Sequence, residues 1–171
     1  MIDAIRNFLY SSTPASFESR YSLEKSVERL RSSTRRTVFG AFTSQQAVGK
    51  VSEDKVVLQR VIPFVGNSFK PSFIGKFQRT SGGIVLTGRF TVHWFTKAFM
   101  TVWFGFCLLW TVLATISVVS TQDVPWWFPL PGIGMIAFGV AMVQLCKFLS
   151  RNDAAWLSKV ISAALSGASA V

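Results

Sequence analysis

The chain holds one histidine, His93, and two cysteines, Cys107 and Cys146. These residue types bind transition metals, carry protons or act as nucleophiles. Their surroundings suit none of these tasks. A metal centre needs several donors brought together, and no second histidine or acidic pair accompanies His93 in the sequence. Both cysteines lie in apolar runs, where a thiol serves as a small apolar filler. Helical rise places Cys107 in the middle of its run and Cys146 at the end of its own, too far apart for a disulfide. Gly132-Ile133-Gly134-Met135-Ile136-Ala137 matches the letters of a dinucleotide-binding loop. That loop works only between a strand and a helix of a soluble parallel sheet, and here the segment follows Pro129 and Pro131 inside an apolar run. No nucleophile elbow, zinc helix or phosphate loop occurs. No catalytic, cofactor-binding or metal-binding residue is assigned. The reading is non-enzymatic, with no cofactor implied.

Charge offers more. The net charge is +10, and residues 1–97 hold 15 of the 18 basic residues against 6 of the 8 acidic ones. A basic chain can serve nucleic acid or anionic lipid. A nucleic-acid module would interleave exposed aromatics or present a reading helix, whereas here the aromatics alternate as a core. The cluster Arg29, Arg31, Arg35 and Arg36 is therefore assigned to lipid headgroups or solvent, and no nucleic-acid partner is expected.

The elements that must position these residues are dominated by two apolar stretches, about 98–120 and about 126–147, with no charge until Lys147 closes the second. Each has the length of about 20 residues that a helix needs to cross a bilayer. Trp94 and Lys97 stand before the first, Trp126 and Trp127 open the second, and Lys147 and Arg151 close it. Aromatic rings and basic side chains favour the interface, and basic residues collect on the cytoplasmic side. The pattern predicts a membrane-spanning hairpin, with both termini cytoplasmic and the turn at Ser120–Pro125 outside. Pro129, Pro131, Gly132 and Gly134 predict an irregular start to the second span, up to about Ile133. Ala137 and Ala141, spaced as small-xxx-small, and Gln144 are predicted to pack the helices together; the same pattern admits a homo-oligomer.

The remaining chain divides into a flexible or interfacial lead-in (1–20), a cytoplasmic α+β domain (21–94), the hairpin (95–149) and an amphipathic cytoplasmic tail (150–171). Leu23, Val27 and Leu30 at helical spacing behind Ser22 predict a helix over Leu23–Ser33. Period-two alternation then predicts strands at Thr37–Phe42, Ala47–Val51, Lys55–Ile62, Ser72–Arg79 and Gly83–His93. Thr80-Ser81-Gly82 forms the last turn, with Gly82 supplying positive φ. Gly75 and Gly88 are expected opposite larger neighbours or at a bend. Trp156, Leu157, Val160, Ile161, Ala164 and Leu165 predict a short helix lying on the membrane surface. The fold class is an α+β membrane protein with an antiparallel sheet of about five strands.

Asn67-Ser68-Phe69-Lys70-Pro71-Ser72-Phe73-Ile74-Gly75, then Gly82-Gly83-Ile84-Val85-Leu86-Thr87-Gly88-Arg89-Phe90, then the two apolar runs, is similar to small uncharacterised bacterial inner-membrane proteins with a β-rich soluble domain before a two-helix hairpin. The resemblance implies a bacterial inner membrane and no particular activity. From the residues, the expected role is a membrane-tethered interaction or assembly protein. Its partners would be the lipid bilayer and a protein held at a sheet edge or a Phe-rich surface. The alternative is an immunity protein that blocks a membrane-active toxin.

Overall fold

The computed structural model describes residues 12–34, 45–62, 69–121 and 123–167. Within them, alternation of apolar and polar residues builds four strands in succession: β2 (Gln46–Val51), β3 (Val56–Val61), β4 (Ser72–Thr80) and β5 (Gly83–Thr91). Each pairs antiparallel with the next. A fifth strand, β1 (Ser12–Ser19), joins the outer edge of β5, giving the order β1-β5-β4-β3-β2. The lead-in expected at 1–20 is therefore corrected over residues 12–19. Ala15 and Phe17 alternate toward the core, and Pro14 is tolerated because β1 is an edge strand. The predicted strand at Thr37–Phe42 lies outside the described residues.

One face of the sheet carries the core. Phe73 is fully buried at its centre, 5.6 Å from the Phe17 ring in an edge contact and 5.3 Å from the Phe90 ring. Gly75 and Gly88 stand directly opposite each other, each with a larger neighbour on its other side, Val56 beside Gly75 and Ala15 beside Gly88, and the Phe73 ring lies over both. A Cβ on Gly75 would come within 2.7 Å of Phe73 Cζ, so the pair exists to seat that ring. At the β4–β5 turn the positive φ belongs to Gly83 (+129°) rather than Gly82.

Two helices cover this face. Helix α1 (Leu23–Ser33) buries Ser26, Val27 and Leu30. Ser22 occupies its N-cap without a side-chain bond; the Ser26 hydroxyl donates back to the Ser22 carbonyl at 2.8 Å instead. The final helix, here α4 (Asp153–Ser166), buries Leu157, Ile161 and Leu165 completely in the same core. This corrects the surface-lying tail. Its apolar stripe is real, but protein covers it, at about 1.5–3 kcal/mol for each large side chain buried. Arg20 N–H donates to the Leu165 carbonyl at 3.2 Å, and Gly167 ends α4 in a left-handed conformation (φ +79°) against Tyr21.

Between β5 and α4 the chain leaves the sheet as two long helices, α2 (Trp94–Ser120) and α3 (Leu130–Leu149). The α3 helix is regular from Leu130, because Pro131 sits in the first turn where no N–H is required. The molecule is an α+β fold with a five-stranded antiparallel sheet and two helices long and apolar enough to cross a membrane.

Candidate functional site

The α2–α3 hairpin leaves most of its apolar surface uncovered. The helical stretches Trp94–Ser120 and Leu130–Ser166 contain windows of mean hydropathy 2.1 and 1.8, of which 11% and 17% are buried. Large side chains point outward along both helices, among them Val102, Phe106, Leu113, Val119, Phe138 and Leu145. A monomer in water rarely shows such a surface. The hydroxyls on α2 do not interrupt it. Thr111 donates to the Cys107 carbonyl and Thr115 to the Thr111 carbonyl, each at 2.7 Å, so these groups are satisfied within the helix.

The helices meet along a glycine face. Gly132 rests against Thr111 and Trp110, Gly139 against Phe104 and Trp103, and Cys107, Ala114 and Val143 are buried in the seam. Ala137, Ala141 and Gln144 are exposed and do not pack the hairpin. Small-xxx-small spacing read the right device on the wrong face. Gly132 and Gly139, seven residues apart, allow the closer backbone approach. Cys107 and Cys146 are free thiols.

Where the hairpin joins the sheet, each end is fastened. His93 caps α2, its Nδ1 accepting from the Phe95 N–H at 3.2 Å, and Lys97 donates from Nζ to Thr91 Oγ1 at 2.7 Å. On the return, Arg60 of β3 donates to Asp153 Oδ1 at 2.8 Å, with the two side chains only 11% and 2% exposed. Its guanidinium also lies 5.0 Å from the Trp156 ring and donates to Gln45 Oε1 at 2.5 Å. Trp156, assigned to the lipid interface by its type, packs on the core under Arg60. Phe69, entering β4, reaches the hairpin and packs with Met100, Phe104 and Val143.

Two members of the basic cluster are structural. Arg29 donates from Nε to the Ala164 carbonyl at 3.1 Å and stacks 4.5 Å from the Tyr21 ring. Arg31 donates to the Val51 carbonyl at 3.0 Å. They tie α1 to α4 and to β2, a role that corrects their assignment to headgroups. Arg35 and Arg36 lie outside the described residues. Trp94, Trp126 and Trp127 are exposed, with Trp94 and Trp126 at opposite ends of the hairpin. Arg151 lies over the Phe148 ring at 4.4 Å, and Lys147 stands in the last turn of α3.

The other face of the sheet has no helix among the described elements packed on it as α1 and α4 pack on the core. One row crosses every strand by direct pairing: Lys50, Val57, Ile74, Arg89 and Pro14. Lys50, Ile74 and Arg89 are exposed, and Lys76 and Thr87 continue the face in the next row. Two apolar side chains thus sit between two cations, a pattern that sequence alternation alone marks only as the polar side. The Phe-rich face expected to meet a partner is the core and is not available.

Among the described residues, no three His, Cys, Asp or Glu side chains come together as a metal site. Comparison with protein families, with curated proteins and with solved structures finds no match. The functional reading therefore rests on the chain's own chemistry.

Proposed function

We propose that this chain is a membrane-tethered, non-enzymatic interaction or assembly protein of a bacterial inner membrane. In this reading α2 and α3 cross the bilayer as a hairpin, and the sheet domain sits against the cytoplasmic leaflet. The observation that carries it is the position of the hairpin as an insert between two elements of one core, β5 and α4. Two helices leaving and re-entering one folded domain must begin and end on the same side of the membrane. The α2 helix, at about 1.5 Å per residue, is about 40 Å long and α3 about 30 Å, against about 30 Å of hydrocarbon.

The cytoplasmic side follows from charge. Arg89, Lys97, Lys147 and Arg151 flank the ends that meet the domain, while Asp123 is the charged residue of the turn. The binding surface is the open sheet face, where Lys50 and Arg89 flank Val57 and Ile74, and it suits an acidic protein segment with an apolar anchor. The tether raises the local concentration of this face toward other membrane-bound proteins.

A photo-crosslinking residue at Ile74 tests the surface. It should trap one protein in intact cells, and Lys50→Glu with Arg89→Glu should abolish the product. Trapping that survives the double reversal would exclude this face. The immunity reading would instead be favoured if a membrane-active toxin were neutralised by the hairpin alone.

A further inference from the structure

The α2–α3 seam leaves the opposite side of α3 without a partner. Leu130, Gly134, Ala137, Ala141, Gln144 and Phe148 follow one another at alternating steps of four and three residues, and all are exposed. That is the spacing of a seam along which one helix meets another over its whole length. At about 100° per residue, the stripe centres about 160° round α3 from Gly132, Gly139 and Val143, which face α2. A Cβ on Gly134 would meet nothing within 4 Å. Ile133, Phe138, Val140 and Leu145 stand exposed on either side, so the small residues form a trough between bulky ones. A second observation is polar. Gln144 lies three residues before Lys147, inside the apolar run, and no described residue hydrogen-bonds its amide. The hydroxyls of Thr101, Thr111, Thr115 and Ser117 donate to carbonyls of their own helix, an outlet Gln144 does not use. Hydrocarbon offers an amide neither donor nor acceptor, so exposure there costs free energy until another polar group meets it.

We propose that α3 pairs along this stripe with α3 of a second copy, in a parallel two-fold dimer whose two Gln144 amides bond to each other. This rests on the membrane reading above. The occupant follows from that topology. Copies whose sheet domains lie on one side of the bilayer run parallel there, so a two-fold axis sets each position of the stripe beside its own counterpart. A glutamine amide both donates and accepts, and it is therefore complementary to itself. A lipid tail satisfies neither half of it. Gly134, Ala137 and Ala141 let the two backbones come close enough for the amides to meet, while Leu130 and Phe148 close the contact at its ends. One polar position in an otherwise apolar seam fixes the register of the pair, because any slip leaves both amides unbonded.

Energy transfer between full-length chains carrying a donor or an acceptor fluorophore after Val171, reconstituted in phosphatidylcholine liposomes, tests this. Transfer should rise with protein density as a monomer–dimer equilibrium and fall when unlabelled chain is added. Gln144→Leu should weaken the dimer about tenfold, and Gln144→Asn should retain most of it. Ala141→Leu should weaken it at least as much as Gln144→Leu. Both positions are exposed, so neither replacement strains the hairpin. Met142→Leu, at the same depth on another face, should change nothing. With Cys107→Ala and Cys146→Ala as background, Ala141→Cys should give a disulfide-linked dimer on oxidation and Met142→Cys should not. Transfer that survives either Gln144→Leu or Ala141→Leu overturns the proposal. So does crosslinking at Met142 in place of Ala141, which would put the contact on another face. Liposome flotation separates the two levels. A chain that floats with the liposomes but stays monomeric at every density defeats the dimer alone, and one that does not float defeats the membrane reading with it.

Discussion

Arg60 and Asp153 lie 93 residues apart in sequence and 2.8 Å apart in space. The pair locks the last position but one of β3 to the first residue of α4, at the point where the chain returns from the apolar hairpin. Asp153 also stands in the first turn of its helix, where the dipole favours a carboxylate. The hairpin is thereby fixed to the sheet at its returning end, as the His93 cap and the Lys97–Thr91 bond fix it at its leaving end.

Removing one member of a buried pair strands the other. Asp153→Leu or Arg60→Met alone should each destabilise the domain by about 3–5 kcal/mol. The double replacement Arg60→Met with Asp153→Leu should cost much less than the sum, because no charge is left unpaired. Denaturant unfolding in detergent, read by circular dichroism across the four-member cycle, checks this. Additive losses would show that the two side chains are not coupled.

The amphipathic stripe of α4 gives the second test. Leu157→Ala, Ile161→Ala and Leu165→Ala each empty a fully buried position, with an expected loss of about 2–5 kcal/mol apiece. A helix lying on lipid would lose membrane affinity instead and leave the fold intact. Unfolding midpoints and vesicle sedimentation, measured on the same variants, separate the outcomes.

The paired glycines of the sheet are a third case. Gly75→Val would bring side-chain atoms against Phe73 Cζ and the Thr87 carbonyl, each 2.7 Å from the first added carbon. Overpacking of this kind costs about 1–3 kcal/mol. Lowered thermal stability and a shifted Phe73 ring resonance should accompany it. Gly82→Ala, where a Cβ has open space, should be neutral.

On α3, the glycine face should be sensitive and the alanine face tolerant. Gly139→Leu forces a side chain into Phe104, whose ring carbon lies 3.0 Å from the Cβ position, and should loosen the α2–α3 contact. Ala137→Leu and Ala141→Leu should leave it unchanged. Melting in detergent discriminates, and the reverse order of sensitivity would place the packing seam on the alanine face.

Much of the fold was legible because its signals are local. The helix over Leu23–Ser33 and the alternation from Gln46 to Thr91 need only short windows of sequence, as do the two apolar runs. What was missed depends on distant partners. Residues 12–19 carry weak strand chemistry, with serine, threonine and proline, and become a strand only because β5 offers them an edge. An amphipathic stripe reads the same whether lipid or a sheet covers it, so α4 looked like a surface helix. Arg29, Arg31 and Arg60 are indistinguishable from solvated charges until the carbonyls and the carboxylate that receive them, 20 to 135 residues away, are in place. The row Lys50–Val57–Ile74–Arg89, half-buried at Val57 and exposed at the other three, could have been found only from the strand register.

The proposed membrane arrangement turns on the side that each end of the hairpin would occupy. Paired reporter fusions measure it directly: green fluorescent protein and alkaline phosphatase, each placed after Val124 and after Val171 in a bacterial host. A crossing hairpin anchored in one cytoplasmic domain predicts phosphatase activity only at Val124 and fluorescence only at Val171. Phosphatase activity at Val171, or fluorescence at both sites with the chain remaining in the supernatant after ultracentrifugation, would contradict it.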